Sequence, residues 1–173
     1  GLVGIGRIGG LMISKAQAFG LDVIAYDPYV SDEQAEAMNV KKVELPELAK
    51  ESDFISLHAP LTPETKWVVD EEFLRSMKST AFLVNVARGP LVKTEAIVQA
   101  LRQNWIAGAA LDVFEEEPVP ADHPLVGLNN VILTPHSAFF SQQSIRELAF
   151  RCANQVKDVL EGKTPENERN SDE

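Results

Sequence analysis

The chain has 173 residues, 45% hydrophobic and 24% charged, apolar content enough for a single packed domain. A formal net charge of −10, with no run of Lys or Arg, argues against a nucleic-acid or anionic-membrane surface. The single cysteine, Cys152, excludes an intrachain disulfide, no apolar run reaches the length of a membrane span, and no secretory signal is visible, so a reducing, cytoplasmic setting is expected.

The first predicted element is a strand over 2–5, overlapped by Gly4-Ile5-Gly6-Arg7-Ile8-Gly9. Ile8, Leu11, Met12, Ala16 and Phe19 recur at helical spacing and predict a helix over 8–19. A second strand over 22–26 ends at Asp27, eighteen residues after Gly9. In a strand, glycine turn, helix and strand of this kind, a pyrophosphate can reach backbone N–H groups at the positive end of the helix. An acid at this distance can accept hydrogen bonds from an adenosine ribose. A helix over 31–38 opens at Ser31 as N-cap, and one over 46–51 carries Pro46 in its first turn, where a missing N–H costs nothing. Strands follow at 53–57, 81–86, 106–111 and 130–133, with helices at 70–76 and, capped by Thr94, at 94–102. The last helix, about 141–161, places Ile145, Leu148, Ala149, Cys152, Val156, Val159 and Leu160 on one face. Ser141 caps it, Gly162 and Pro165 stop it, and Cys152 reads as core. The strands are short, near-continuous apolar runs, expected to be buried on both faces of a doubly wound parallel α/β sheet. One domain over 1–165 is expected, with a polar tail at 166–173.

Three features at strand exits carry candidate chemistry, since ligands of open α/β sheets bind outside the carboxyl ends of the strands. Arg88, in Asn85-Val86-Ala87-Arg88-Gly89-Pro90, can clamp a carboxylate with paired hydrogen bonds; the bland reading is a surface arginine. One of Glu115, Glu116 and Glu117 can turn inward as the partner of an imidazole, although three glutamates also describe a solvated loop. His136, in Thr134-Pro135-His136-Ser137-Ala138, can exchange a proton near neutral pH, or be structural. An arginine, a carboxylate and an imidazole on one rim with a dinucleotide suit carbonyl reduction.

At these residues the sequence resembles the D-isomer-specific 2-hydroxyacid dehydrogenases. The resemblance runs in order through the opening glycine motif, Tyr26-Asp27-Pro28-Tyr29, Leu57-His58-Ala59-Pro60-Leu61-Thr62-Pro63-Glu64-Thr65, Asn85 to Gly89, Ala109 to Pro118 and Leu133 to His136. It implies a Rossmann-type NAD-binding domain, with NAD as cofactor and a small 2-hydroxy or 2-oxo acid as substrate. It also implies Arg88, Glu117 and His136 as the catalytic set, Glu117 being the glutamate that precedes Pro118. Arg88 would anchor the substrate carboxylate and polarise its keto oxygen, and His136 would donate the proton. Gly4, Gly6, Arg7, Ile8 and Gly9 would meet the pyrophosphate, Asp27 the ribose, and Pro60 and Thr65 the far side of the cofactor. Asp112 would hold the nicotinamide carboxamide, and Val86, Ala87, Arg88, His136 and Ala138 would line the nicotinamide end. His58 is implied to be positional.

The resemblance also implies a second, substrate-binding domain and a homodimer in the full-length protein. This chain is then the cofactor domain alone, expected to bind NAD(H) and turn over little. Phe139 and Phe140 stand where many members carry glycines, and this stretch is similar to the branch containing the C-terminal-binding-protein corepressors. An NAD(H)-sensing interaction protein with vestigial catalysis is therefore the alternative reading. Phe139 is expected to narrow the pocket mouth toward apolar 2-oxo acids, and Lys93-Thr94 to depart from the acidic helix opening usual in the family.

Overall fold

The computed structural model describes residues 1–166; the predicted tail beyond Glu166 lies outside the described residues. Seven strands form one all-parallel sheet: β1 (Leu2–Val3), β2 (Ile24–Tyr26), β3 (Lys41–Lys42), β4 (Phe54–Leu57), β5 (Phe82–Asn85), β6 (Gly108–Leu111) and β7 (Val131–Leu133). Their spatial order is β3-β2-β1-β4-β5-β6-β7. The helices are α1 (Arg7–Ala18), α2 (Asp32–Ala37), α3 (Leu45–Glu51), α4 (Glu71–Ser76), α5 (Thr94–Arg102) and α6 (Gln142–Leu160). By compactness Gly1–His136 form one unit, holding the sheet and α1 to α5, and a second unit begins at Ser137 and holds α6.

The register lines up the strand exits. Val3 is opposite Tyr26 and Leu57, Leu57 opposite Asn85, Asn85 opposite Leu111, and Leu111 opposite Leu133. The turns after residues 3, 26, 57, 85, 111 and 133 therefore share one rim. Chain order reverses between β1 and β4, and a doubly wound sheet opens its ligand crevice at such a switch point.

Alternate residues of β1 enter two separate cores. Val3 joins Ile55, Leu57, Leu83 and Leu111 with α3, α4 and α5, whereas Leu2 joins Ile5, Ile13, Ala25, Ala35 and Val40 beneath α1 and α2. Successive side chains of a strand point to opposite faces, so these cores lie on the two sides of the sheet.

Four expectations are corrected. β3 has no apolar run to reveal it: it is an edge strand of two lysines, with Lys41 bonded to Glu47 (2.7 Å) and Lys42 to the Val30 carbonyl (2.7 Å). Lysines suit an edge because they deter further pairing. The α1 stripe is largely outward, with Ile8, Leu11 and Phe19 exposed and Gly9 and Ile13 buried, because close packing under the glycine turn selects the face that carries the small residue. β4 and β5 are buried on one face only; on the other, Phe54 and Phe82 stack at 5.6 Å and remain about half exposed. No residue of α6 is buried and Cys152 is exposed, so Cys152 is not core; amphipathy marks the face a helix can bury, not a surface to bury it on.

Capping separates two similar signals. Ser31 and Ser141 form capping boxes with Gln34 and Ser144, as their positions predict. Thr94 is instead the first helical residue, and its N–H donates to Glu115 Oε2 at 2.8 Å, so a distant carboxylate caps α5.

Candidate functional site

The glycine turn is shaped by close approach. Gly4 adopts φ +87°, and a Cβ there would lie 2.7 Å from the Ala59 nitrogen; a Cβ on Gly9 would lie 2.1 Å from the Gly4 carbonyl oxygen. α1 is thereby drawn against the end of β1. α1 starts just past the exit of β1, on the rim, with no side-chain cap and no acid in its first turn. A Cβ on Gly6 would meet nothing within 4 Å, which leaves room for a phosphate at this helix end. Arg7 and Ile8 flank that opening and are exposed.

Asp27 is buried at the end of β2. Its Oδ2 accepts the Ile5 N–H and its Oδ1 the Tyr29 N–H, both at 2.9 Å. It borders a cavity of about 100 Å³ with Gly4, Tyr26, Pro28, Pro60 and Thr65. A carboxylate offers about four acceptor positions, so two remain for ribose hydroxyls. Thr65 Oγ1 donates to the Pro60 carbonyl (2.7 Å) and accepts the Thr62 N–H (2.8 Å), which folds the 60–65 loop onto this cavity. Gly4, the acid and the loop therefore meet around one small cavity, at the rim position where the adenosine ribose of a dinucleotide is expected. His58, beside the turn, is tied to Ser56 (3.0 Å), and burial holds its imidazole below its ordinary pKa.

At the other end of the rim, Glu117 Oε2 pairs with His136 Nδ1 at 2.8 Å and Glu117 Oε1 accepts the Phe114 N–H at 2.9 Å. The bond with His136, then that from Phe114, hold the Glu117 carboxyl below the usual carboxylate range. An ionised carboxylate only accepts, so Nδ1 carries the shared proton. His136 has φ +51°, a conformation side chains seldom adopt, and is fixed by its N–H to the Asp112 carbonyl (2.8 Å). Asp112, itself buried, also accepts the Thr134 hydroxyl.

Arg88 is exposed, and its Nη1 donates to the Ala87 carbonyl at 2.7 Å. Its turn is built by Asn85, a wholly buried polar residue at the end of β5: Nδ2 donates to the Arg88 carbonyl (2.9 Å) and Oδ1 accepts the Ala87 N–H (3.1 Å). A Cβ on Gly89 would fall 1.9 Å from the Phe114 carbonyl group, so the Arg88 turn lies directly on the loop that leads to Glu117. Val86, Ala87, Arg88, Asp112, Glu117 and His136 thus follow three adjacent strands, while Ala138 falls in the second unit. Sequence reasoning assigned no role to Asn85 or Thr134 and weighed Glu115 only as a partner for the imidazole. A polar residue ending an apolar strand was the available signal for Asn85.

A doubly wound parallel sheet with a glycine-lined helix start and a buried acid after β2 defines a dinucleotide-binding α/β domain. The chain belongs to the D-isomer-specific 2-hydroxyacid dehydrogenases: residues 1–138 match the family described as "D-isomer specific 2-hydroxyacid dehydrogenase, NAD binding domain". It is 46% identical over 168 residues to the D-3-phosphoglycerate dehydrogenase of Methanocaldococcus jannaschii, covering 96% of this chain and 32% of that protein. It is 44% identical over 167 residues to the glyoxylate reductase of Korarchaeum cryptofilum, covering 96% of this chain and 50% of that protein. The structure of D-lactate dehydrogenase with NAD+ from Lactobacillus jensenii superposes with a TM-score of 0.87 at 32% identity, covering 97% of this chain and 55% of that one. The chain spans half or less of the length of these two curated relatives.

Proposed function

We propose that this domain serves, in the full-length protein, an NAD-dependent oxidoreductase that interconverts D-2-hydroxy acids and 2-oxo acids. The observation that carries the reading is the His136–Glu117 pair at 2.8 Å, on a rim that also presents Arg88 and a dinucleotide turn. Bound NADH supplies the hydride. Arg88 holds the substrate carboxylate and polarises the keto oxygen. With Nδ1 engaged by Glu117, His136 delivers a proton to that oxygen from Nε2, and the paired carboxylate stabilises the imidazolium. Asp112 holds the carboxamide of the nicotinamide, and Asp27 favours NAD over NADP because a carboxylate repels a 2′-phosphate. The net charge of −10 disfavours a nucleic-acid or anionic-membrane partner, and the family's pattern supports a small 2-oxo acid; no helix among the described residues is long and apolar enough to cross a membrane. On the family's pattern, the full-length protein is read as a cytoplasmic homodimer.

The test is kinetic, in the full-length protein with NADH and glyoxylate or pyruvate. His136→Asn abolishes turnover, and Arg88→Gln raises KM for the oxo acid while NADH affinity stays unchanged. Comparable activity of His136→Asn at neutral pH, or collapse of NADH binding in Arg88→Gln, overturns these roles.

A further inference from the structure

Of the three consecutive glutamates, Glu117 faces the imidazole, yet Glu115 makes the more far-reaching contacts. Its Oε1 accepts the indole Nε1–H of Trp67 at 2.7 Å and its Oε2 accepts the Thr94 N–H at 2.8 Å. Trp67 lies 48 residues away in sequence and Thr94 lies 21 away. Trp67 is held in the left-handed region at φ +57°, its own N–H bonded to the Pro90 carbonyl at 2.8 Å. The ammonium of Lys66 sits 4.4 Å from the Trp67 ring centroid and that of Lys93 5.5 Å from it. Partial burial works to raise the Glu115 pKa; the bonds from Thr94 and Trp67, with the charge of Lys66, outweigh it, and the carboxyl is held below its ordinary value.

These contacts close a ring around the Arg88 turn. Inside, Asn85 fixes residues 87 and 88; beneath, Gly89 lies on the Phe114–Glu115 backbone. The Glu115 side chain bonds both the start of α5 and Trp67, whose own N–H donates to the Pro90 carbonyl. Two residues further on, Glu117 holds His136. One short segment therefore grips the support of the guanidinium with residue 115 and the imidazole with residue 117. We infer that Glu115 is a positioning residue for the reaction: its carboxylate, clamping Thr94 and Trp67, sets the separation of Arg88 from the Glu117–His136 pair. This rests on the functional reading above. It differs from a helix-capping role because the clamp spans the two supports that must meet one substrate, and a misplacement of about 1 Å in such a set can cost on the order of 100-fold in rate.

The experiment compares wild type, Glu115→Gln and Glu115→Ala in the full-length enzyme with NADH and glyoxylate, measuring kcat, both KM values and Tm. Glutamine can accept one of the two N–H groups but meets the other with its own amide, so it keeps part of the clamp and guards against loss of fold. The expected result is kcat lowered about 10-fold in Glu115→Gln and about 100-fold in Glu115→Ala, with KM for glyoxylate raised and KM for NADH within about twofold of wild type. If both variants lose only Tm, with kcat and both KM values unchanged below the melting range, Glu115 is a helix cap and the inference is overturned. A wild-type protein that reduces neither glyoxylate nor pyruvate with NADH overturns the functional reading and this inference with it. An active wild type with indifferent variants overturns the inference alone.

Discussion

At Asp27 both carboxylate oxygens accept N–H groups of their own chain, from Ile5 and Tyr29, while the residue borders the cavity formed with Pro60 and Thr65. The acid that would select the cofactor is therefore also part of the fold at the glycine turn. Asp27→Ala is expected to narrow the preference for NADH over NADPH, measured as a ratio of dissociation constants. It is also expected to lower stability by about 1–3 kcal/mol, since it leaves the Ile5 N–H buried without its acceptor. A variant whose cofactor ratio does not move removes Asp27 from cofactor choice and leaves it a structural role. The spacing of Asp27 from Gly9 was readable in the sequence. Its second duty was not, because an N–H brought in from Ile5 is a tertiary fact.

Among the elements, the turn at Gly89–Leu91 after β5 joins the two halves of the reactive rim. Its first residue has no room for a methyl group: a Cβ on Gly89 would overlap the Phe114 carbonyl, which is backbone and cannot rotate aside. Gly89→Ala is expected to cost about 1–3 kcal/mol through overpacking. It should also lower kcat for the oxo acid by pushing the Arg88 turn off the loop that leads to Glu117, while NADH affinity stays close to wild type. Equal kcat in wild type and variant would show that the contact is packing only. Chain order and element type were legible from hydrophobic periodicity for six of the seven strands and all six helices. β3 shows no apolar run because edge strands need no apolar side chains, and Thr94 is not the cap of α5 because the carboxylate that accepts its N–H lies 21 residues away.

For the molecule as a whole, acid stability is expected to depend on His58, which is packed beside the glycine turn at the centre of the sheet. Burial lowers its pKa below the ordinary 6.5, so the unfolded chain binds the proton more readily than the folded one. Stability is therefore undiminished above about pH 6.5 and falls as pH drops from there toward the folded value. His58→Gln should flatten that part of a Tm-against-pH curve relative to wild type; parallel curves would show that His58 does not carry the slope. The half-exposed Phe54 and Phe82 show that apolar content alone does not say which faces of the sheet are covered.

The parallel α/β class, the glycine turn with its acid, and the three strand exits that carry Arg88, Glu117 and His136 are all legible in the order of residues alone. Periodicity, turn chemistry and short motifs are local properties, and each is written within a few tens of residues. Which glutamate contacts the imidazole, and which clamps Trp67 and Thr94, follows instead from the folded arrangement of distant segments. Packing likewise leaves one face of β4 and β5 exposed. Those outcomes depend on strand order and register, which bring together groups 19 to 48 residues apart and which no local pattern encodes.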